Sequence, residues 1–355
     1  MKITIDCRHI DSSGIGVYLK ECLPYFFRTQ NYFILLGNIK RLKFTTEYKN
    51  TEIIQCRIKP YSLCDFFLFP SKIAKKINSS DLFYSPNFNI PNGLKIPIFT
   101  TIHDIVFPDM PKLVSKLGLI IRMWFFHRAY KKSSKIFTVS NFSKERIEFY
   151  LGKNKPVIVT HSAIQTEYLN YRAKVQYFIK NKTIIFIGNM KKNKGLVLLL
   201  KAFKEAKNDG LPHRLIIIGG SENFRTADNV VLKIINSFKS ECISLYSYIS
   251  NELLMKFLSE ASLLIQPSLY EGFCLPPLEA LMLGTPALIS DIPVLKEIYS
   301  DFPVIYFKSG DPVDLKNKMM KIINNNIKIS LPDNLSEKYT FDKTSSIVME
   351  NITAL

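Results

Sequence analysis

The chain has 355 residues, 47% of them hydrophobic and 22% charged, which excludes a disordered polypeptide and suits about two folded domains. No apolar run reaches the ~20 residues of a membrane-spanning helix, and the six cysteines (Cys7, Cys22, Cys56, Cys64, Cys242, Cys274) contain no closely spaced metal-type pair. The net charge of +18 is uneven: residues 1–165 hold 25 basic and 11 acidic side chains, a net of +14, which implies an anionic partner for that half, whether nucleic acid, a membrane surface or a phosphorylated substrate.

Met1-Lys-Ile-Thr-Ile-Asp6 runs straight into a polar position, unlike a secretory leader, so reduced thiols in a cytoplasm are expected. Lys2–Asp6 reads as an opening strand, Asp11-Ser-Ser-Gly-Ile-Gly16 as a glycine-bearing loop, and Val17–Phe27 as a helix. A first strand, loop and helix is where doubly wound folds hold phosphate, but the third glycine of the dinucleotide fingerprint is missing. Further strands are expected at Tyr32–Leu36, Ile53–Ile58, Leu82–Ser85, Ile96–His103, Lys135–Ser140 and Val157–His161, with intervening segments that fit a mostly parallel sheet. His103 ends a strand, the end at which open sheets place ligands. Asp104 fits a capping role better than that of a base.

Between Lys112 and Lys135, Leu117, Ile121, Trp124 and Phe125 recur at helical spacing among Lys112, Lys116, Arg122, Arg128, Lys131, Lys132 and Lys135. Two readings stand: a domain helix with a solvated rim, or a face for anionic lipid or a lipid-linked phosphate, at roughly 1 kcal/mol per basic residue near the surface.

The pattern loosens from Gln165 to Asn181, and a second α/β set follows, with strands at Thr183–Gly188, Arg214–Gly219, Ile243–Ile249, Leu263–Pro267, Ala287–Ser290 and Val304–Phe307. Leu196, Leu199, Leu200 and Phe203 form one apolar helical stripe, and Leu253, Leu254, Phe257, Leu258 and Ala261 another. Three lysines crowd the turn Phe186-Ile-Gly-Asn-Met-Lys-Lys-Asn-Lys-Gly195. The Gly219-Gly220 pair suits close backbone approach. In Pro267-Ser-Leu-Tyr-Glu-Gly-Phe-Cys-Leu-Pro-Pro-Leu-Glu-Ala280, Gly272 permits a sharp turn and the two prolines open a helix. The amides of Phe273, Cys274 and Leu275 at that helix start suit an anion, and Glu271 and Glu279, acceptors only, can each hold vicinal hydroxyls.

This run, with Gly284-Thr-Pro286, resembles the retaining glycosyltransferases of family four (glycosyl transferases group 1), in its bacterial polysaccharide type. The resemblance covers nearly the whole chain, most closely 186–205 and 243–300. It implies an α/β fold of two Rossmann-like doubly wound domains facing across a cleft, the GT-B arrangement. The expected division is an acceptor-side domain at 1–163, a linker at 164–182, a nucleotide-sugar domain at 183–338, and a closing helix at 339–355 packed back on the first domain. By the same resemblance Lys194 and Glu271 are catalytic, with His103 beside the donor sugar and the incoming hydroxyl. Gly14, Gly16, Gly188, Asn189, Lys194, Gly272, Phe273, Cys274, Leu275 and Glu279 bind the donor, Glu279 at its ribose, and Tyr248–Ser250 flanks the base. Many members carry an arginine where this chain has Asn189 or Asn193, so the second cation on the diphosphate is in doubt here. Lys191 or Lys192 could stand in, without arginine's bidentate fork.

The expected reaction moves a hexose-type sugar from a nucleotide-diphosphate donor to a saccharide or lipid-linked saccharide acceptor, with no metal or cofactor expected, since lysine and amides can neutralise the diphosphate and no Asp-x-Asp signature is present. Cell-envelope polysaccharide synthesis is the expected setting, in the cytoplasm, with peripheral contact at the inner face of the plasma membrane through 112–135 as the sharper alternative. No nucleic-acid module accompanies the basic half. A nucleotide-sugar epimerase of the same fold, a non-catalytic nucleotide-binding protein and a nucleic-acid-binding protein are the rivals.

Overall fold

The computed structural model describes residues 1–174, 180–219, 229–247, 249–329 and 333–354. The chain divides into two compact units, Met1–Ala163 with Tyr339–Leu355, and Ile164–Lys338.

The first unit is built on seven parallel strands: β1 (Lys2–Asp6), β2 (Tyr32–Gly37), β3 (Thr51–Gln55), β4 (Leu82–Ser85), β5 (Ile98–Thr101), β6 (Lys135–Thr138) and β7 (Val157–Val159), in the order β3-β2-β1-β4-β5-β6-β7. Consecutive residues Phe33 to Leu36 are all fully buried, as in a sheet covered by helices on both faces. β7 stops at Val159, two residues short of expectation, and three other strands differ for local reasons. β3 lies at Thr51–Gln55 rather than Ile53–Ile58, because pairing Leu35 with Ile53 sets its register. β5 starts after Pro97, and β6 stops at Thr138 because the Ser140 side chain accepts from the Ser143 amide (3.1 Å) and caps the helix Asn141–Leu151. The first helix begins at Ser13, so Gly14 and Gly16 lie inside its first turn and not in a preceding loop. The last helix, Phe341–Thr353, packs against that helix Ser13–Phe27, with the Tyr18 and Phe341 rings 6.2 Å apart, and Lys135 Nζ donates to the Asn351 carbonyl (2.9 Å).

The second unit carries six parallel strands, β8 (Thr183–Ile187), β9 (Arg214–Ile218), β10 (Ile243–Tyr246), β11 (Leu263–Gln266), β12 (Ala287–Ser290) and β13 (Ile305–Phe307), in the order β10-β9-β8-β11-β12-β13. The stripe Leu196, Leu199, Leu200 and Phe203 of the helix Leu196–Asn208 is buried against Phe186, Leu215, Ile217 and Leu263. Part of the stretch expected as a connection, Thr166–Lys174, forms a helix instead. It is polar overall, which hid it, but its Tyr168 is buried and it packs on the helix Pro276–Met282. Lys180 then anchors the chain, its Nζ donating to Thr285 Oγ1 (2.6 Å) and the Ser259 carbonyl (2.7 Å). Residues 175–179, Gly220 and Tyr248 fall outside the described residues. β10 ends at Tyr246, and Ser250 caps the helix Asn251–Glu260 by accepting from Leu253 N (3.3 Å).

Candidate active site

In the second sheet the chain leaves β8 toward β9 on one side, while β11 lies on the other. That reversal makes the carboxyl ends of β8 and β11 the place for a ligand. Two loops meet there. The loop after β8 closes as a 3-10 turn at Lys192–Lys194 and passes through Gly195 at φ 68°. The loop after β11 is pinned to it, Leu269 N donating to the Asn193 carbonyl (2.8 Å) and Asn193 Nδ2 to the Tyr270 carbonyl (3.3 Å). A Cβ at Gly195 would stand 1.9 Å from the Pro267 carbonyl oxygen, so only glycine allows the two loops to touch. Gly195→Ala is expected to lose on the order of 3 kcal/mol of stability, from overpacking and left-handed strain together. Urea unfolding of the variant with an unchanged midpoint would contradict this.

Pinning the loops brings Lys194 Nζ within 2.7 Å of both carboxylate oxygens of Glu271. The carboxylate is 7% exposed and is also held by Ser268 Oγ, which donates to Oε1 at 2.7 Å while accepting from Gln266 Nε2 at 3.0 Å. A buried carboxylate requires such bonds, since desolvation otherwise exceeds what one ion pair returns.

From Glu271 the chain turns through Gly272 and Phe273 to Cys274, which has φ 78°, a conformation that costs a non-glycine residue on the order of 1 kcal/mol or more. Tyr299, fully buried, holds this turn: its hydroxyl donates to the Cys274 carbonyl and accepts from Leu278 N (3.2 Å). Among the described residues the Cys274 and Leu275 amides meet no acceptor, and they precede the helix Pro276–Met282. Burial pushes the Cys274 thiol well above its ordinary range, with Glu271 adding to the effect. On the first turn of that helix sits Glu279. Burial raises its pKa from 4.5 to about 7, against the opposing pull of the Tyr168 hydroxyl.

Asn189 and Asn193 serve the loop itself. Asn189 Oδ1 accepts from Lys191 N (3.3 Å), and Asn193 ties the two loops. Gly188 contributes its carbonyl to a backbone contact: a Cβ on Gly219 would lie 1.8 Å from it. Lys191 and Lys192 are exposed and border a cavity of about 420 Å³ with Lys201, Leu269 and Pro312.

The remaining predicted residues lie in the first unit, where the corresponding reversal falls between β1 and β4. His103 stands two residues beyond β5, half-buried, with Tyr18 edge-on at 5.2 Å. Its Nε2 lies 2.9 Å from the Pro86 carbonyl, which can only accept, so Nε2 carries the proton and Nδ1 is the bare nitrogen. Burial lowers its pKa to about 4, leaving a neutral ring at pH 7. Asp104 caps the next turn by accepting from Val106 N (3.3 Å). Gly16 is required by the chain's own path, since a Cβ there would lie 2.5 Å from the Ile10 carbonyl oxygen, whereas a Cβ on Gly14 would meet open space.

Beside His103 lies a polar group that sequence reasoning passed over. Arg8, 2% exposed, is fixed by Asp6 (2.6 and 2.9 Å) and Asp65 (2.5 Å), and Asn89 Nδ2 donates to Asp65 Oδ2 (2.6 Å). His9 Nε2 accepts from Asn87 Nδ2 (3.3 Å), and the positive tendency of His9 contributes to the lowered pKa of His103. The available signal was the polar runs directly after two strands, Cys7-Arg-His9 and Pro86-Asn-Phe-Asn89. Among the described residues, no group of three or more His, Cys, Asp or Glu side chains could hold a metal ion, and no helix is long and apolar enough to cross a membrane.

Residues 168–340, which carry the Lys194–Glu271 pair and Glu279, match the profile of the family described as Glycosyl transferases group 1. These residues form a group 1 glycosyltransferase domain. An uncharacterized glycosyltransferase of Methanocaldococcus jannaschii is 26% identical over 84% of this chain and 83% of its own length. O-antigen chain mannosyltransferase B of Escherichia coli is 25% identical over 66% and 62%. The Anabaena protein HepE, solved with UDP and glucose, superposes with a TM-score of 0.72 at 14% identity over the whole of both chains. The fold of this glycosyltransferase is therefore of the GT-B kind, two Rossmann-like units each on a parallel sheet.

Proposed function

We propose that this glycosyltransferase moves a hexose-type sugar from a nucleotide-diphosphate donor to a saccharide or lipid-linked saccharide, with retention of configuration and without a metal, in cell-envelope polysaccharide synthesis. The observation that carries the reading is Lys194 Nζ held 2.7 Å from both oxygens of Glu271, at the turn that opens the helix bearing Glu279. The mannosyltransferase relative and the UDP and glucose bound to HepE support a hexose and a nucleotide donor.

In this reading Lys194 is shared between Glu271 and the donor diphosphate, and takes up the charge that grows on the leaving phosphate. The amides of Phe273, Cys274 and Leu275 supply further donors, with Gly272, Gly188 and Asn189 allowing close approach. Glu271, kept in place by Ser268, grips hydroxyls of the transferred sugar, and Glu279 grips the ribose. His103 is neutral at pH 7, so it acts by hydrogen bonding and not as a cation. Gly14 and Gly16 belong to the helix start beside it, where the first unit is proposed to bind the acceptor. Asn189 and Asn193 leave the diphosphate with a single firm cation. A lipid-linked acceptor would bring the chain from the cytoplasm to the inner face of the plasma membrane.

The test is a panel of UDP-, GDP- and dTDP-hexoses with lipid-extracted or synthetic saccharide acceptors, run with and without EDTA. The expected result is acceptor-dependent product, unchanged by EDTA, with the anomeric configuration of the donor. Donor isomerised without acceptor would favour the epimerase. Nucleotide binding with no turnover of any donor would favour the non-catalytic reading.

A further inference from the structure

We propose that the first unit docks on an anionic lipid bilayer through a two-part apolar surface, the Leu117, Ile120, Ile121 and Trp124 stripe together with Leu63, Phe67 and Leu68, while the cationic end of the same helix binds lipid phosphates. The proposal deepens the reading of a lipid-linked acceptor and rests on it for its purpose. Docking itself is measured without turnover, so either can fail alone.

The helix Lys116–Lys132 turns only part of itself inward, at Phe126, Ala129 and Tyr130. On the opposite side Leu117, Ile120, Ile121 and Trp124 recur at helical spacing and are 46–66% exposed. The same stripe continues through His127, Arg128, Lys131 and Lys132, so one face is apolar for its first two turns and cationic for its last two. Beside it lies the short helix Leu63–Phe66. Its Phe66 ring packs 4.4 Å from Phe125 and 6.1 Å from Trp124, with the Arg128 guanidinium 5.2 Å above it. That contact leaves Leu63, Phe67 and Leu68 in the open, 66–75% exposed. Seven large apolar side chains in neighbouring positions exceed the scattered exposure of an ordinary surface.

Trp124, His127, Arg128, Lys131 and Lys132 line a groove of about 270 Å³. Arg128 Nη1 donates to the Ile90 carbonyl (2.5 Å), but its Nη2 is buried with no partner among the described residues. Residues 110–135 contain seven basic side chains and no Asp or Glu, and Asp65 on the short helix is committed to Arg8. The surface therefore lacks its own counter-charge. A second copy docked face to face would press this basic surface on itself. A nucleic acid would have no use for the seven apolar side chains. A bilayer with anionic headgroups satisfies both halves at once, the apolar outcrops entering the interface and the basic groove meeting phosphates.

Flotation of the full chain with vesicles of phosphatidylcholine alone, and of phosphatidylcholine with phosphatidylglycerol, tests this. At least about tenfold more protein is expected with the anionic vesicles at low salt, falling as salt screens the charges. Ile121→Glu and Leu68→Glu, both at exposed sites, are expected to cut that recovery severalfold with unchanged melting temperature, and Lys131→Glu combined with Lys132→Glu to abolish the preference for anionic lipid. Equal recovery of the natural protein with both vesicles overturns the proposal whatever the variants do. So do folded variants that float like the natural protein, or sedimentation showing a dimer that Leu68→Glu dissociates.

Discussion

Lys194→Ala is expected to lower kcat by about 10²–10³-fold, the loss seen when one preorganised donor to developing charge is removed. The donor's KM should change much less, because the ribose contact proposed for Glu279 is left intact. The structure sharpens the expectation in two ways. Lys194 is the cation that the two pinned loops deliver to Glu271, and Asn189 and Asn193 on the same loop are neutral and spent on loop hydrogen bonds. Lys191→Ala, at an exposed position on the same loop, is the control and should stay within about threefold, as surface substitutions usually do. Lys194→Arg should recover part of the rate, its planar fork being wider than an ammonium and less free to reach both Glu271 oxygens. A Lys194→Ala enzyme within threefold of the natural one in kcat would remove the lysine from the chemistry.

Glu279→Gln should weaken donor binding and stabilise the free protein, in opposite senses and with different pH dependence. Losing a charged acceptor for the ribose hydroxyls is worth roughly 2 kcal/mol, about 30-fold in donor affinity. In the free protein the carboxyl has its pKa raised from 4.5 to about 7 by burial. A raised carboxyl pKa means that the folded state binds more protons than the unfolded one between those values, so stability is lost as pH rises from about 4.5 through 7. The cost at pH 8 has an upper bound of roughly 3 kcal/mol, and the neutral amide escapes it. Thermal melting should therefore show Glu279→Gln several degrees above the natural protein at pH 8, with no gain at pH 4. Donor affinity of the natural enzyme should decline as pH falls below 7, where the carboxyl takes up its proton, and that of the variant should not. Calorimetric titration with UDP across this range decides. A variant that binds donor normally, or melts lower at pH 8, would show that Glu279 is neither a ribose ligand nor a strained carboxylate.

Such pH behaviour could not have been anticipated from residue order. The spacing of Glu271 and Glu279 was plain in the sequence, but Tyr168, whose hydroxyl faces Glu279, comes from a polar stretch that reads as a connection. Its helix is held by packing on Pro276–Met282 and not by an apolar repeat of its own. The strand ends show the same limit on a smaller scale: Ser140 continues the strand pattern by composition, but its hydroxyl caps the helix that follows.

The sequence by itself determined the α/β alternation, the two sets of parallel strands and the turn between Glu271 and Glu279. Hydrophobic period, proline and glycine are local signals, and each is complete within about ten residues. Only the tertiary structure decided which groups share a counter-charge. It joined Lys194 to Glu271 across 77 residues and Arg8 to Asp65 across 57, and it set Tyr299 under the Cys274 turn. It also left the apolar stripe of Lys116–Lys132 uncovered. Ion pairing and burial depend on distance in space and on the water excluded around each charge, and neither quantity is written in the order of the residues.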